Sequence, residues 1–266
     1  MKRRAIGVIA VLLTGMILAT LSGCSRQGGT DPNTVYEDMQ AAFEQSGLLS
    51  ANIGLFTKTE ENGSVTYHNG GSGVVFQKDG PFYYALTSAH VVDAEGDQFL
   101  VYTVNTEMIM EEIPGLEDMN VPAQETYDAM YTAEVLYKST RDDLAVIRFA
   151  ADEDLAIIEI ADAEPEKGDR ILCVGNPENE WFTVTYGNIT SGLKEFGTTT
   201  SHPSNAMEHS AYMYSGSSGG AAIGEQMKLV GITPGIILAP DRKTFERGVL
   251  IPVSRIRLCL EEWENQ

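Results

Sequence analysis

The sequence predicts an all-β protein of two six-stranded antiparallel β-barrels with a short C-terminal helix. From residue 50 onward, short runs rich in Val, Ile, Thr, Tyr and Phe alternate with Gly, Asn and Asp, a pattern typical of strands joined by turns. These runs fall into two series, one over residues 52–149 and one over residues 170–253. Two series of about six strands each, without a fixed-period repeat, favour two barrels over one continuous sheet. We therefore expect a first barrel over residues 49–160 and a second barrel with the closing helix over residues 161–266.

Segments outside these runs predict the remaining elements. An amphipathic pattern over residues 35–45, followed by Gly47, indicates a short helix, and a similar pattern over residues 253–266 indicates the closing helix. The acidic, proline-containing insertion at residues 107–128 is expected to be a long surface loop, with a lid over the site as the alternative. Residues 211–213 are expected to form a strand of the second series.

The composition excludes several classes of protein. The chain has 266 residues, 43% of them hydrophobic and 3 of them cysteine, which provides for a sizeable core without a disulfide scaffold. Its 38 acidic and 18 basic residues give a formal net charge of -20. A nucleic acid partner is not expected, because binding phosphates requires basic side chains. Cys173 and Cys259 lie in apolar runs and are expected to pack in the core, although a disulfide between them stays open.

The N-terminus has the pattern of a secretion signal. Three basic residues at positions 2–4 precede an apolar run over residues 5–20, which is short for a membrane-spanning helix. The sequence Leu-Ser-Gly-Cys at residues 21–24 resembles the bacterial lipobox, in which the cysteine carries the lipid. We therefore expect a lipoprotein signal peptide over residues 1–23, lipidation of Cys24, and a tether with a short helix over residues 24–48. An uncleaved transmembrane anchor is the alternative, and both place the remaining chain outside the cytoplasm.

The run Gly-Ser-Ser-Gly-Gly at residues 216–220 is the first candidate for catalytic chemistry. Glycines allow a turn in which the backbone N–H groups of Gly216 and Ser218 point at one spot and hold an oxyanion beside the Ser218 hydroxyl. The run also matches the G-x-S-x-G string of α/β-hydrolases. In those enzymes the histidine follows the serine, whereas all 4 histidines of this chain precede Ser218, which excludes that interpretation.

A histidine and an aspartate precede Ser218 in positions that suit nucleophilic catalysis. His90 stands at the end of an apolar strand, and Asp143 directly precedes another. A carboxylate there can accept the Nδ1–H of His90 and stabilise the imidazolium that forms when His90 takes the Ser218 proton. Asp142 is the alternative acid, but we expect it to face water. The sequence thus predicts a triad of His90, Asp143 and Ser218.

With these residues in place, the mature chain resembles trypsin-like serine proteases, specifically the HtrA/Deg group of bacterial proteases. The stretches that carry the resemblance occur in the family's order and spacing: residues 86–92, 143–147, 175–177 with 184–191, 215–220 with 230–232, and more weakly 251–252. The resemblance implies a chymotrypsin-like double barrel with its site in the cleft, a polypeptide substrate, and a triad with His90 and Asp143 from the first barrel and Ser218 from the second. Too few residues follow Pro252 for a PDZ domain.

Two departures from the family pattern affect the expected site. Ser215-Gly-Ser-Ser stands where the family has Pro-Gly-Asn-Ser, and Pro234 lies where a strand would pair with substrate but cannot donate a hydrogen bond. In this fold the primary pocket is formed by the segments around Tyr212 and around Ile232 and Thr233. No acid lies in these segments, which predicts cleavage after small or medium apolar residues.

Two other functions remain as alternatives to an endopeptidase. The first is a catalytically silent protease fold that serves as a binding scaffold at the cell surface. The second is an esterase or peptidase that acts on small substrates. Neither a metal nor a cofactor is expected, because the sequence has no metal-ligand spacing and no Walker or dinucleotide motif.

Overall fold

The strands of this protein form two antiparallel units. The computed structural model describes residues 35–93, 98–113, 116–177, 181–195 and 205–266, so the predicted signal peptide and Cys24 lie outside the described residues. The helices are α1 (Glu37–Ser46), α2 (Gln124–Asp128) and α3 (Val253–Glu264), and 3₁₀ turns cover Leu48–Ala51 and Ala89–Val92. The strands of the first unit are β1 (Asn52–Glu61), β2 (Ser64–Asp79), β3 (Phe82–Thr87), β4 (Gln98–Tyr102), β5 (Met110–Ile113), β6 (Leu116–Pro122), β7 (Tyr131–Ser139) and β8 (Leu144–Ala150). Those of the second are β9 (Arg170–Gly175), β10 (Thr183–Asn188), β11 (Lys194–Glu195), β12 (Asn205–His209), β13 (Gly220–Gly224), β14 (Leu229–Leu238) and β15 (Phe245–Pro252).

The first unit is a closed six-stranded barrel, as the sequence predicted. Its strands follow the order β1-β2-β3-β8-β7-β4, and every neighbouring pair is antiparallel. Alternating side chains fill its interior, because successive residues of a strand point to opposite faces. The interior includes Ile53, Leu55, Val75, Tyr83, Ala85, Val101, Ile147 and Phe149.

The second unit is less closed than predicted. Its strands form a seven-stranded sheet in the order β10-β9-β13-β14-β15-β12-β11, and β11 is only two residues long. A single bridge between Ile189 and His209 joins the chain after β10 to β12. Next to this bridge, the Asn188 N–H donates to the side-chain oxygen Oγ of Ser210. In a continuing strand ladder this N–H would donate to a backbone carbonyl instead. The prediction of a strand at residues 211–213 is wrong, because these residues form no strand and β12 pairs with β15 instead.

The two units share one apolar core, which α1 and α3 cover. This shared cluster includes Val74, Leu86, Leu144 and Val146 of the first unit, Leu172, Val174, Ile232 and Ile251 of the second, and Met39, Phe43, Ile256 and Cys259 of the helices. Both predicted helices are confirmed. Helix α1 ends at Gly47, whose φ of 71° lies in the left-handed region typical of a helix C-terminus. Burial of each large aliphatic side chain contributes about 1.5–3 kcal/mol, so the contact between the units is rigid.

The insertion at residues 107–128 is not the unstructured loop predicted from its acidic composition. It contains the hairpin of β5 and β6 and the short helix α2. Thr126 of α2 joins the two ends of the insertion, because its Oγ1 accepts a hydrogen bond from the Ile109 N–H at 2.9 Å. The strand pattern could not be recognised in the sequence, because proline and acidic residues interrupt its alternation of apolar and polar residues.

Within the described ranges, no helix combines the length and apolar character needed to cross a bilayer. Cys173 and Cys259 are both buried and carry free thiols, so the structure contains no bridge between them.

Candidate active site

His90 lies in the 3₁₀ turn that follows β3. Its neighbours Ala89, Val91 and Val92 are buried, whereas the imidazole keeps 39% of its surface exposed. The three apolar neighbours fix the turn, while the imidazole stays partly exposed. This placement follows from the sequence, in which His90 lies between Ala89 and Val91.

Asp143 lies in the turn between β7 and β8 and holds His90 through two contacts. The His90 backbone N–H donates to Asp143 Oδ1 at 3.0 Å, and His90 Nδ1 lies 2.8 Å from Oδ2. The Asp143 side chain is only 8% exposed. A carboxylate accepts at Nδ1, so the proton belongs on Nδ1 and Nε2 is left as a proton acceptor. Asp143 adopts a left-handed φ of 51°, which turns its carboxylate toward His90.

Asp142, the alternative acid, does not face water as predicted. Its side chain is fully buried and accepts hydrogen bonds from Arg255 Nε of α3 at 2.8 Å and from Arg141 Nε at 3.0 Å. Two guanidinium groups compensate for the cost of burying this charge. Asp142 thus fastens the turn that carries Asp143 to the C-terminal helix. Arg255 lies far from Asp142 in sequence, so no local pattern could reveal this contact.

Ser218 lies in the turn before β13 and is half-buried. Its Oγ donates a hydrogen bond to the Pro234 carbonyl oxygen at 3.0 Å. Among the described residues, no hydrogen bond joins this hydroxyl to His90. Transfer of the Ser218 proton to Nε2 therefore requires the hydroxyl to break its hydrogen bond with the Pro234 carbonyl oxygen. Catalytic hydrogen bonds are often incomplete in structures without substrate.

Gly216 gives the turn before Ser218 its shape. Its φ is 95°, and a Cβ at this position would lie 2.3 Å from the Asn176 carbonyl oxygen, so only glycine fits. The neighbouring Ser217 N–H is used within the turn, because it donates to the Tyr214 carbonyl oxygen at 3.0 Å. The N–H groups of Gly216 and Ser218 have no acceptor in the part of the chain that the structure describes. Both are therefore available to an anionic ligand.

The sequence did not reveal Ser72, a buried residue of β2 that supports this turn. Its Oγ donates to the Gly216 carbonyl oxygen at 2.8 Å and accepts from the Asn176 N–H at 3.0 Å. Its own N–H donates to the Ser218 carbonyl oxygen at 2.8 Å. Ser72 thus connects the first barrel to both ends of the Gly216–Ser218 turn. The only feature of the sequence that pointed to this contact was Asn176, which lies in one of the stretches that carry the family resemblance.

Two cavities lie beside this turn. The Tyr212 cavity has a volume of about 150 Å³ and is lined by Cys173, Gly175, Pro177, Thr183, Thr185, Tyr212, Met213, Tyr214 and Ser217. The Ser218 cavity has a volume of about 490 Å³ and is lined by Met213, Tyr214, Ser215, Ser217, Ser218, Gly235, Ile236, Leu238, Arg242 and Lys243. Among the described residues that line these cavities, none carries a carboxylate.

The predicted pocket residues are only partly brought to these cavities. Tyr212 lines the smaller one, but Ile232 and Thr233 are fully buried and line neither. Ile232 packs in the shared core, and Thr233 Oγ1 donates to the Ser217 and Gly220 carbonyl oxygens. The two side chains lie on opposite faces of β14, and both faces are covered at this point. The cavity wall comes from later residues of the same hairpin.

The other candidate ligands do not form a metal site. His68 is exposed and His209 fully buried, while His202 lies outside the described residues. Across the described ranges, His, Cys, Asp and Glu side chains form no group of three suited to a metal ion.

Comparison with known proteins agrees with this geometry. The probable periplasmic serine endoprotease DegP-like of Buchnera aphidicola subsp. Schizaphis graminum is 29% identical over 197 residues, which covers 74% of this chain and 36% of the relative. The periplasmic serine endoprotease DegP of Salmonella typhimurium is 30% identical over 190 residues, covering 71% of this chain and 37% of the relative. The chain thus spans little more than a third of the length of these relatives.

A solved structure of a variant of the HtrA-type protease AlgW with a tripeptide shares the fold. It has a TM-score of 0.60 and 23% identity, and the alignment covers 83% of this chain and 62% of that one. The model of the trypsin-like peptidase domain matches residues 71–232, which is more than half of the chain. This protein therefore belongs to the trypsin-like peptidase family, and its homologues include HtrA-type serine endoproteases.

Proposed function

We propose that this protein is a lipid-anchored, extracytoplasmic serine endopeptidase that works through an acyl-enzyme. Ser218 is the nucleophile, His90 the general base, and Asp143 the residue that orients His90. The observation that carries this proposal is the double contact of Asp143 with the His90 backbone and ring. It fixes the imidazole so that Nε2 is the free basic nitrogen at the cleft.

The reaction follows from these positions. The Ser218 hydroxyl leaves the Pro234 carbonyl, gives its proton to His90 Nε2, and its oxygen attacks the peptide carbonyl carbon. The resulting oxyanion is held by the N–H groups of Gly216 and Ser218. Collapse breaks the C–N bond, and His90 gives the proton to the leaving amine. A water molecule then repeats the sequence and releases the acid from Ser218.

One observation favours the alternative of a silent binding scaffold. The Ser218 hydroxyl is hydrogen-bonded to the Pro234 carbonyl oxygen rather than to His90. In a silent scaffold this bond would persist when substrate binds. In an enzyme it is broken at a small cost, because a neutral hydrogen bond contributes about 0.5–1.5 kcal/mol.

A fluorophosphonate probe distinguishes the two functions. The wild-type domain is expected to be labelled, and the Ser218→Ala variant is expected to remain unlabelled. Ser215→Ala is the matched control, because Ser215 is an exposed serine of the same turn and its loss should leave labelling intact. Labelling of Ser218→Ala would contradict the assignment of the nucleophile. Absence of labelling in all three proteins would favour the scaffold. Hydrolysis of casein, measured separately, distinguishes an endopeptidase from an esterase.

We also propose that cleavage follows small or medium apolar residues. The Ser218 cavity is lined by Met213, Ile236 and Leu238, and none of its described lining residues is a carboxylate that could pair with a basic side chain. A substrate with Lys at the cleavage position would bury an uncompensated charge. Peptides with Ala or Val there are expected to be cleaved at least about 10-fold faster than the Lys peptide. Equal rates would exclude this specificity.

Lipid attachment at Cys24 is the remaining part of the proposal. It is supported by the lipobox-like residues 21–24 after an apolar segment. Two or more acyl chains hold a protein stably on a membrane, since each buried methylene contributes about 0.8 kcal/mol. Metabolic labelling with radioactive palmitate should mark the wild-type protein and not Cys24→Ala. Labelling of the variant would refute this site.

A further inference from the structure

We infer that Arg242 and Lys243 form a cationic subsite that binds an Asp or Glu side chain of the polypeptide substrate close to the bond attacked by Ser218. Both residues line the same cavity as Ser218. The position of the substrate rests on the proposed peptidase function. The charge preference rests on the residues that line the cavity, and no motif in the sequence indicated it.

The hairpin between β14 and β15 holds the two side chains at the cavity rim. The Ala239 N–H donates to the Thr244 carbonyl oxygen at 2.9 Å, and the Arg242 N–H donates to the Ala239 carbonyl oxygen at 2.8 Å. Arg242 has a left-handed φ of 56°, which closes this tight turn. The loop is thus a defined structure, and its cations stand on a fixed backbone.

The acid nearest in sequence does not neutralise this pair. Asp241 Oδ1 accepts the N–H groups of Lys243 and Thr244, each at 2.9 Å, and its Oδ2 accepts the Thr244 hydroxyl at 2.5 Å. These bonds hold the pKa of Asp241 below its usual range, with the Thr244 hydroxyl as the largest cause. Asp241 thus stays ionised and makes no ion pair with either cation, so one negative charge stands beside two positive ones.

Arg242 and Lys243 stand out among the basic side chains. Neither has a hydrogen-bond or ion-pair partner for its side chain within the described ranges. Most of the other described basic residues are paired with acids: Lys78, Lys138, Arg141, Arg148, Arg170, Lys194, Lys228, Arg247, Arg255 and Arg257. In a chain of net charge -20, two unpaired cations beside the candidate nucleophile are a local reversal of sign.

A carboxylate is the substrate group that this rim recognises. Opposite charge draws an acidic side chain to the cavity, and like charge disfavours a basic one. The apolar wall of Ile236 and Leu238 remains free for the residue at the cleavage position. The substrate class is thus a polypeptide with an apolar residue at the cleaved bond and an acidic residue nearby. Because both cations are exposed, the expected gain is moderate, about 3- to 10-fold in kcat/KM.

Paired peptides test this proposal. Each pair carries Glu or Gln at one of the three positions on either side of an Ala or Val cleavage site. Wild type is expected to prefer Glu about 3- to 10-fold at one position or more, and the preference should fall at high salt as screening grows. The double variant Arg242→Gln/Lys243→Gln is expected to lose this preference, measured as the ratio of its rates on the Glu and Gln peptides. A double variant of two distant cations, Lys58→Gln/Lys167→Gln, is the control with the same change in net charge.

A binding measurement separates failure of the subsite from failure of the proposed function. Fluorescence anisotropy of the same peptides on the Ser218→Ala protein requires no turnover, and it should show the same preference for Glu. If no protein hydrolyses any peptide but Glu still binds more tightly through Arg242 and Lys243, the subsite stands and the peptidase proposal fails. Equal hydrolysis and binding of Glu and Gln peptides by wild type would overturn the subsite. A preference kept by Arg242→Gln/Lys243→Gln would overturn it as well.

Discussion

The buried His209 should make the second unit sensitive to acid. The side chain is fully buried at the bridge that joins β12 to the chain after β10. Its ring packs on Gly248, where a Cβ would lie 2.1 Å from Nε2. Within the described ranges neither ring nitrogen has a hydrogen-bond partner. Burial lowers the pKa of His209 from 6.5 to about 4 and outweighs the opposing effect of the Val249 and Ala211 backbone groups.

This pKa fixes both the sign and the size of the effect. The folded state binds a proton less readily than the unfolded state, so the contribution to stability is complete above pH 6.5 and is lost as the pH falls toward 4. The difference between 6.5 and about 4 corresponds to about 3 kcal/mol of unfolding free energy. Between pH 7 and pH 4.5 the expected loss is about 2 kcal/mol.

Urea unfolding at several pH values, followed by the fluorescence of the 2 tryptophans, measures this loss. Carboxylates also contribute to the pH dependence, so the relevant quantity is the difference between wild type and His209→Phe, whose ring does not titrate. The variant should lose about 2 kcal/mol less than wild type between pH 7 and pH 4.5. His68→Gln, at an exposed histidine, is the control and should follow wild type. Parallel curves for wild type and His209→Phe would refute the reasoning.

Three further predictions concern the candidate triad and its supports. Arg255→Met should lower the free energy of unfolding by about 3 kcal/mol in urea titrations, because it removes one of the two cations on buried Asp142; an unchanged midpoint would contradict this. Asp143→Asn should reduce kcat by about 10⁴-fold with little change in circular dichroism, because an amide NH₂ favours the wrong tautomer of His90; a normal kcat would remove Asp143 from the mechanism. Gly216→Ala should slow fluorophosphonate labelling by at least about 100-fold, since its Cβ would displace an oxyanion donor; wild-type labelling would exclude that role.

Local patterns were enough to predict the first barrel and the position of His90. Alternating apolar residues determine which face of a strand is buried, so the strand series could be read without the fold. His90 was recognisable because it follows the strand pattern of β3 and lies among the apolar residues Ala89, Val91 and Val92. The second unit was harder to predict, because its edge depends on how the chain around Ser210 bonds to Asn188.

Contacts between distant segments were not predictable. Asp142 was expected in water because its immediate neighbours are polar, yet Arg255 reaches it from α3. Ile232 and Thr233 were expected in the pocket, but Ile232 packs in the shared core and Thr233 bonds to the Ser217 carbonyl, so later residues of the hairpin line the cavity. In each case the deciding contact joins parts of the chain that lie apart in the sequence. No pattern in the sequence shows that these parts will meet.

Because of these contacts, residues on both sides of the cleft hold the candidate site in position. Ser72 of the first barrel binds the carbonyl oxygens of Gly216 and Ser218, so it holds the turn whose N–H groups would bind the oxyanion. Asp142 in turn anchors the Asp143 turn to α3, which packs on the shared core. Any movement of one unit relative to the other would therefore disturb the nucleophile turn and the His90–Asp143 pair together. Separation of the two units should thus abolish activity before either unit unfolds.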